Sequence, residues 1–138
     1  PPPEINLFNE KNNGLSVLSL ISKRLVNAVH DVSSGGILVA LSEMCIISKI
    51  GIKIKIPRNN VSQHEYLFGE DQSRYILEVK EKNIKEVCKI LKENSVYYDI
   101  IGLTQKDNFD VDNEFKVNLN ELIEANNFWF KNYFYENI

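Results

Sequence analysis

Hydrophobic positions recur along the chain with two different spacings, which predict alternating strands and helices. Over 51–57 isoleucine alternates with lysine, and this period of two is typical of a strand with one face in water. Ile84, Val87, Cys88 and Leu91 recur instead at intervals of three and four, with lysine and glutamate between them. This spacing predicts an amphipathic helix whose apolar stripe faces the core.

The first part of the chain predicts a helix, a buried strand and a second helix. The strand is expected over 25–30, and the helix after it over 37–47. That second helix is apolar nearly all round, so we expect it to be buried on more than one side. The first helix is expected over 9–23. Its inner face is predicted to carry Leu15, Leu18, Ile21 and Ser22.

The second half of the chain predicts further strands, a hairpin and terminal helices. Strands are expected over 75–79 and 96–104, and a tight hairpin over 109–117. Asn118 and Glu121 resemble a capping box that starts the terminal helices. Because the late hairpin breaks strict strand–helix–strand order, the pattern favours an α/β (α+β) fold with a mixed sheet and helices on its faces.

Composition narrows the class of protein. The chain has 138 residues, 25% of them charged, and a net charge of −3, which is ordinary for one globular domain. No basic groove is indicated, so we expect no nucleic acid partner, and no apolar run approaches the ~20 residues of a membrane span. Cys45 and Cys88 lie on apolar stripes without metal-ligand spacing. We therefore expect buried, reduced thiols, no metal site and a cytoplasmic location.

A polar turn with two glycines lies between the predicted strand and the apolar helix. It reads His30-Asp31-Val32-Ser33-Ser34-Gly35-Gly36. The free amides of a helix start could bind a phosphate there, but no lysine follows the glycines, so this is not a nucleotide P-loop. A purely structural interpretation stays open. In it, Asp31 and Ser33 would bond the turn, a serine hydroxyl would cap the helix, and His30 would bond backbone groups.

A second dense motif follows further along the chain. It reads Leu67-Phe68-Gly69-Glu70-Asp71-Gln72-Ser73-Arg74-Tyr75. Two carboxylates and an amide in succession are costly to bury, so they are exposed, paired or facing a polar cleft. Glu70, Asp71 and Gln72 are therefore candidates for ligand contact. The alternative is a solvated loop, or an internal ion pair with Arg74.

Together, these two motifs resemble one family. In the large synthetase component of formylglycinamide ribonucleotide amidotransferase, also called phosphoribosylformylglycinamidine synthase subunit II, the last domain carries His-Asp-Val-Ser-Asp-Gly-Gly and then Leu-Phe-Gly-Glu-Asp-Gln-x-Arg-Tyr. The opening prolines, Ile101-Gly102-Leu103-Thr104 and the closing Phe128-Trp129-Phe130 also fit. Ser34 departs from the pattern, because an aspartate is usual at that position.

The resemblance implies the fold, the domain layout and the site. It implies a three-layer α/β/α domain like that of aminoimidazole ribonucleotide synthetase, with partial ferredoxin-like topology. Residues 1–8 would be a proline-rich linker and 9–138 a single domain, the last of a longer polypeptide. No catalytic residue is expected here. The residues implied to contact substrate or phosphate, or to form a pseudo-site, are Glu70, Asp71, Gln72, Ser33, Ser34, Gly35 and Gly36, with His30 and Asp31 organising the turn.

The resemblance also implies a reaction. The whole enzyme uses ATP and magnesium to activate the formamide oxygen of formylglycinamide ribonucleotide. Ammonia from glutamine then yields the amidine in purine biosynthesis. ATP and magnesium would be bound mainly by other domains, and neither would be needed for this domain to fold. Its partners would be the preceding domains, a glutaminase subunit and a small bridging subunit. The fragment alone is expected to be inactive.

Two alternatives remain open at this point. The chain could be a domain of another ATP-dependent enzyme of the same superfamily, such as aminoimidazole ribonucleotide synthetase or selenophosphate synthetase. It could also be a noncatalytic module that docks through its apolar helix. A docking module would bind a protein partner and ignore nucleotide and phosphoribosyl ligands.

Overall fold

The computed structural model describes residues 5–56 and 61–135. Within these ranges the chain forms two compact units, one containing the residues up to Ala40 together with Ser62–Ile100, and the other Leu41–Val61 together with the residues from Ile101 onward. The elements in chain order are α1 Leu7–Ser22, β1 Ala28–Asp31, α2 Gly36–Ser48, β2 Gly51–Ile54, α3 Gln63–Phe68, β3 Tyr75–Glu78, α4 Ile84–Glu93, β4 Gly102–Gln105, β5 Asn108–Val111, β6 Phe115–Asn118 and α5 Leu119–Tyr135.

The first unit is built on an antiparallel pair of strands. β1 and β3 pair with Ala28 opposite Glu78 and Asp31 opposite Tyr75. A cluster of buried side chains joins the helices of this unit, because long apolar side chains from α1 and α4 are removed from water together. The cluster consists of Leu20, Leu25, Val87 and Leu91. The amphipathic helix predicted from Ile84 onward is thereby confirmed as α4.

The predicted inner face of α1 is wrong. Leu18 is 59% exposed, whereas Leu20 is fully buried. Ser16, Val17 and Leu20 form the buried side of the helix. Apolar residues occupy both sides of α1, so periodicity alone could not tell which stripe packs against the core. The exposed apolar stripe of α1 consists of Leu15, Leu18 and Ile21.

The second unit contains a mixed four-stranded sheet in the order β4-β2-β5-β6. β2 pairs antiparallel with β4 and parallel with β5, which confirms the mixed sheet. β5 and β6 form the predicted hairpin, and Asn113 adopts a left-handed conformation in its turn (φ 64°). Asparagine tolerates this conformation better than most residues. Phe109 and Phe115 stack with their ring centroids 6.1 Å apart.

Several predicted boundaries need correction. The strand expected over 96–104 is limited to β4, because pairing with β2 covers only Gly102–Gln105. The strand expected over 25–30 is shifted to Ala28–Asp31. The strand expected over 51–57 ends at Ile54, and Pro57 lies outside the described residues. The terminal helices are one helix, α5, and the Asn118 side chain accepts a hydrogen bond from the Asn120 amide.

The predicted burial of the two cysteines and of the apolar helix is confirmed in part. Cys45 is 1% exposed, and burial raises the pKa of its thiol to about 11. Cys88 is only half-buried, so full burial is wrong for that residue. α2 is buried at Ile37, Ala40 and Leu41 but leaves Ile47 exposed. Over the described ranges, none of the helices combines the length and the apolar character that crossing a membrane requires.

Candidate functional site

The glycine turn connects β1 to α2, and its backbone requires glycine. Gly35 and Gly36 have φ of +82° and +71°, a region that side chains with a Cβ rarely adopt. A Cβ on Gly36 would lie 2.7 Å from the carbonyl oxygen of Leu67 and from backbone atoms of Phe68. The turn therefore packs backbone to backbone against the end of α3. The glycines are explained by this close approach and need no ligand to account for them.

The acidic loop, defined as residues 69–74, begins where α3 ends. α3 starts with a capping box in which Ser62 and Glu65 bond each other's backbone amides. These bonds from Ser62 lower the pKa of the Glu65 carboxyl below its ordinary value. The capping box therefore fixes the start of α3, and the acidic loop follows directly after the last residue of this helix. Neither α3 nor this capping box was predicted from the sequence.

Arg74 holds the acidic loop from within. Its guanidinium donates to the carbonyl oxygens of Gly69 (3.0 Å) and Tyr66 (3.2 Å) and lies 3.5 Å from the Asp71 carboxylate. It also lies over the Tyr66 ring, 5.8 Å from the centroid. Burial raises the pKa of the Tyr66 phenol, and the charge of Arg74 opposes that rise. The predicted ion pair of Arg74 with an acidic neighbour is confirmed for Asp71.

The two motifs meet in space. The Gly35 amide donates to the Glu70 carboxylate at 2.8 Å, and the Val32 amide donates to the Arg74 carbonyl at 2.9 Å. The glycine turn and the acidic loop both belong to the first unit, so the two predicted motifs converge within that unit. Asn13, which sequence reasoning missed, adds a third support to this arrangement. Its side-chain amide donates to the carbonyl and to the hydroxyl oxygen of Ser73, both at 3.0 Å.

Other predicted contacts of the turn differ from expectation. Among the described residues, the hydroxyls of Ser33 and Ser34 make no hydrogen bond, so neither caps α2. The carbonyl oxygen of Ser33 instead accepts from the Gly36 amide at 3.0 Å. His30 places Nδ1 against the Asp31 carbonyl oxygen, which agrees with a structural role. The Glu70 carboxylate instead accepts from the amide of Gly35, the residue that precedes α2.

The side chain of Gln72 differs from those of Glu70 and Asp71 in its contacts. Its side chain is exposed, and within the described ranges it makes no hydrogen bond to another residue. Asp71 and Glu70 are both engaged, by Arg74 and by Gly35. Ser33 and Ser34 precede Gly35, and Gln72 follows Glu70 by two residues, so two hydroxyls and an amide flank the Gly35–Glu70 contact in the sequence. These groups suit a neutral or polar ligand better than a polyphosphate.

The described residues do not fit a magnesium or nucleotide phosphate site. No group of three or more His, Cys, Asp or Glu within 5–56 and 61–135 could hold a metal ion. No lysine follows the glycines of the turn, and Arg74 is already bonded within its own loop. No step of a reaction through magnesium or ATP is therefore assigned to these side chains.

The family of the chain follows from comparison with known proteins. Residues 2–112 match the family described as AIR synthase related protein, C-terminal domain. The chain belongs to this family. The match bears out the resemblance seen in the two motifs, and it bears out the expected fold class, in which helices accompany a mixed sheet.

Relatives and solved structures agree with this family. The chain is 50% identical over 133 residues to phosphoribosylformylglycinamidine synthase subunit PurL of Pelagibacter ubique, an alignment that covers 96% of this chain and 18% of that relative. PurLQS from Thermotoga maritima has a TM-score of 0.77 at 21% identity, covering 88% of this chain and 22% of that one. T. maritima PurL complexed with FGAR has a TM-score of 0.75 at 20% identity, covering 86% and 21%. These structures share the fold, and the chain spans less than a fifth of the Pelagibacter relative.

Proposed function

We propose that this chain acts as one domain of an ATP-dependent C–N ligase of purine biosynthesis. The reaction would convert formylglycinamide ribonucleotide, ATP and glutamine-derived ammonia to formylglycinamidine ribonucleotide. The observation that carries the proposal is the 50% identity over nearly the whole chain to a relative of that name. Residues 9–138 would be the last domain of the polypeptide, preceded by a linker over 1–8, and the enzyme would work in the cytoplasm.

The site of this domain is the rim where the glycine turn meets the acidic loop. We assign ligand contact to Gln72, Ser33 and Ser34, whose polar groups are not used within the described residues. Glu70, Asp71, Gly35 and Gly36 shape that rim, and His30 and Asp31 organise the turn. The ligand would be the ribonucleotide or an adjoining segment of the same enzyme.

Cofactors and partners follow from the same proposal. ATP and magnesium would be bound mainly by other domains, because the described residues hold no metal-ligand cluster. The partners would be the preceding domains, a glutaminase subunit and a small bridging subunit. The T. maritima assembly named PurLQS supports such a complex for that relative.

A domain exchange tests the proposal. The segment of Pelagibacter ubique PurL that aligns with this chain would be replaced by this chain, and formation of the amidine product would be measured with ammonia and ATP. The proposal predicts ATP-dependent turnover in the exchanged enzyme. A matched control receives the same chain with Gly36→Ala, which should lose turnover together with folding of the segment. A folded exchange enzyme that binds substrate yet shows no turnover would contradict the proposal.

A second candidate function is docking without chemistry, and the exposed apolar stripe of α1 favours it. A docking module would bind a protein partner through Leu15, Leu18 and Ile21, and its acidic loop would bind no ligand. Light scattering and ligand titration separate the two functions. Association that is abolished by Leu18→Ser, without any response to the ribonucleotide in the exchanged enzyme, would favour docking.

A further inference from the structure

The glycine turn lies at the start of a helix, where an anion could bind, but both of its glycine amides already have partners within the chain. A phosphate bound at the start of α2 would need free N–H groups pointing at it. The Gly36 amide donates to the Ser33 carbonyl at 3.0 Å. The Gly35 amide donates to Oε1 of Glu70 at 2.8 Å. Both glycine amides are therefore used within the chain.

The acceptor on Gly35 is an anion supplied by the chain itself. A carboxylate near a helix start is stabilised by the partial positive charge of that end, and its bond to an amide is charge-assisted. Glu70 is 35 residues from Gly35 in sequence, so this contact ties two distant segments together. A phosphate at the same position would have to displace the Glu70 carboxylate from the Gly35 amide.

Neighbouring contacts hold Glu70 in place. The acidic loop is fixed by Asn13 at Ser73 and by Arg74 at Gly69. The bonds of Arg74 to Gly69, Tyr66 and Asp71 engage the cation that could otherwise have attracted a second anion. The acidic loop therefore places the Glu70 carboxylate against the turn, while the guanidinium of Arg74 is bonded within the loop.

We propose that Glu70 is an internal anionic ligand of the glycine turn, which closes the turn to external phosphate and positions the acidic loop. Glu70 is thus a positioning residue that acts through the backbone of the loop to place Gln72. The inference deepens the function proposed for the site, because it divides the predicted site residues into two classes. Glu70 and Gly35 bond each other and are closed to a ligand, whereas the side chains of Gln72, Ser33 and Ser34 remain available to one.

The test observes Gly35 directly in the 138-residue chain. The six glycines would be labelled with nitrogen-15 and their amide resonances followed by NMR. Glu70→Gln and Glu70→Ala should both move the Gly35 amide proton upfield, because the charge-assisted bond is weakened or lost. Inorganic phosphate should leave Gly35 unmoved in the parent and shift it in Glu70→Ala.

The matched control is Asp71→Asn, which neutralises the adjacent carboxylate that Arg74 holds and should leave the Gly35 resonance in place. If Glu70→Ala does not fold, Glu70→Gln keeps the size of the side chain and carries the test. An unchanged Gly35 resonance in Glu70→Gln would overturn the inference, as would a phosphate response of Gly35 in the parent. Neither result depends on synthetase turnover, so it is distinguishable from a failure of the proposed function.

Discussion

At the residue scale, the site is explained by pairs of groups that lie far apart in sequence. The glycine turn and the acidic residues could be singled out from the sequence, because residue type and local spacing are visible there. The partner of Gly35 could not, because a hydrogen bond to Glu70 depends on how β1 and β3 pair. The expected serine cap was wrong, because neither serine hydroxyl makes a hydrogen bond within the described residues.

Gly36 and Gly14 form a matched pair for substitution by alanine. Gly36→Ala should lower the free energy of unfolding by at least about 2 kcal/mol, because a Cβ would meet Leu67 and Phe68 at 2.7 Å in a left-handed backbone. Gly14→Ala should raise it by about 0.5–1 kcal/mol, because the position is helical and the new Cβ would make an ordinary contact with Tyr75. Urea denaturation measures both. Equal effects would contradict the packing of the turn on α3.

The capping box predicts a pH dependence. The lowered pKa of Glu65 means that its ionised form favours the folded state. That contribution is present above the ordinary value of 4.5 and is lost as the pH falls through the lowered folded value. Ser62→Ala should therefore destabilise the chain more at pH 7 than at pH 3 and should raise the pKa of Glu65. Carbon-13 NMR titration and urea unfolding at both pH values measure this.

The control for that experiment is Ser22→Ala, which removes a hydroxyl bonded to the Leu18 carbonyl with no carboxylate involved. Its effect on the free energy of unfolding should be the same at both pH values. If the pKa of Glu65 is the same in Ser62→Ala as in the parent, the hydroxyl of Ser62 does not stabilise the ionised carboxylate.

At the scale of elements, amphipathic spacing succeeds where one side of a helix is polar. α4 has lysines opposite its apolar stripe, and its position and buried face were predicted correctly. α1 has apolar residues on both sides, so spacing identified the helix but assigned the wrong inner face. The strand expected over 96–104 was correct only from Gly102 onward, because an apolar run becomes a strand only where a neighbour pairs with it, and the pairing with β2 begins at Gly102.

Two alanine substitutions in α1 test the corrected face. Leu20→Ala should lower the free energy of unfolding by about 2–5 kcal/mol, because Leu20 is fully buried in the cluster with Leu25, Val87 and Leu91. Leu18→Ala should change it by no more than about 0.5 kcal/mol, because that side chain is 59% exposed. Thermal and urea unfolding of both variants measure the difference. A larger loss for Leu18→Ala would restore the face predicted from the sequence.

At the scale of the whole molecule, the chain matches only part of the length of its relatives. The described residues form no metal-ligand cluster, and the chain spans 18% of the length of the Pelagibacter relative. The family and the fold class could be predicted from the sequence because two dense motifs stand in a fixed order. The division into two compact units could not, because β2 lies between the segments of the first unit and pairs with later strands.

We expect the purified 138-residue chain to show no conversion of formylglycinamide ribonucleotide with ATP, magnesium and ammonia. This expectation rests on the proposed function, in which ATP and magnesium are bound mainly by other domains. Product formation by the chain alone, measured by chromatography against a complete synthase, would contradict this. The complete synthase under the same conditions is the positive control.

The backbone contact between Gly36 and Phe68 limits how this rim can be altered. Neither segment can be transplanted into a related protein by itself, because glycine at position 36 and the backbone of Leu67 and Phe68 have to fit each other at this short distance. Engineering a new specificity here would require grafting residues 30–36 and 67–75 as a single cassette. Among sequence variants, substitutions in residues 30–36 should also occur together with substitutions in residues 67–75.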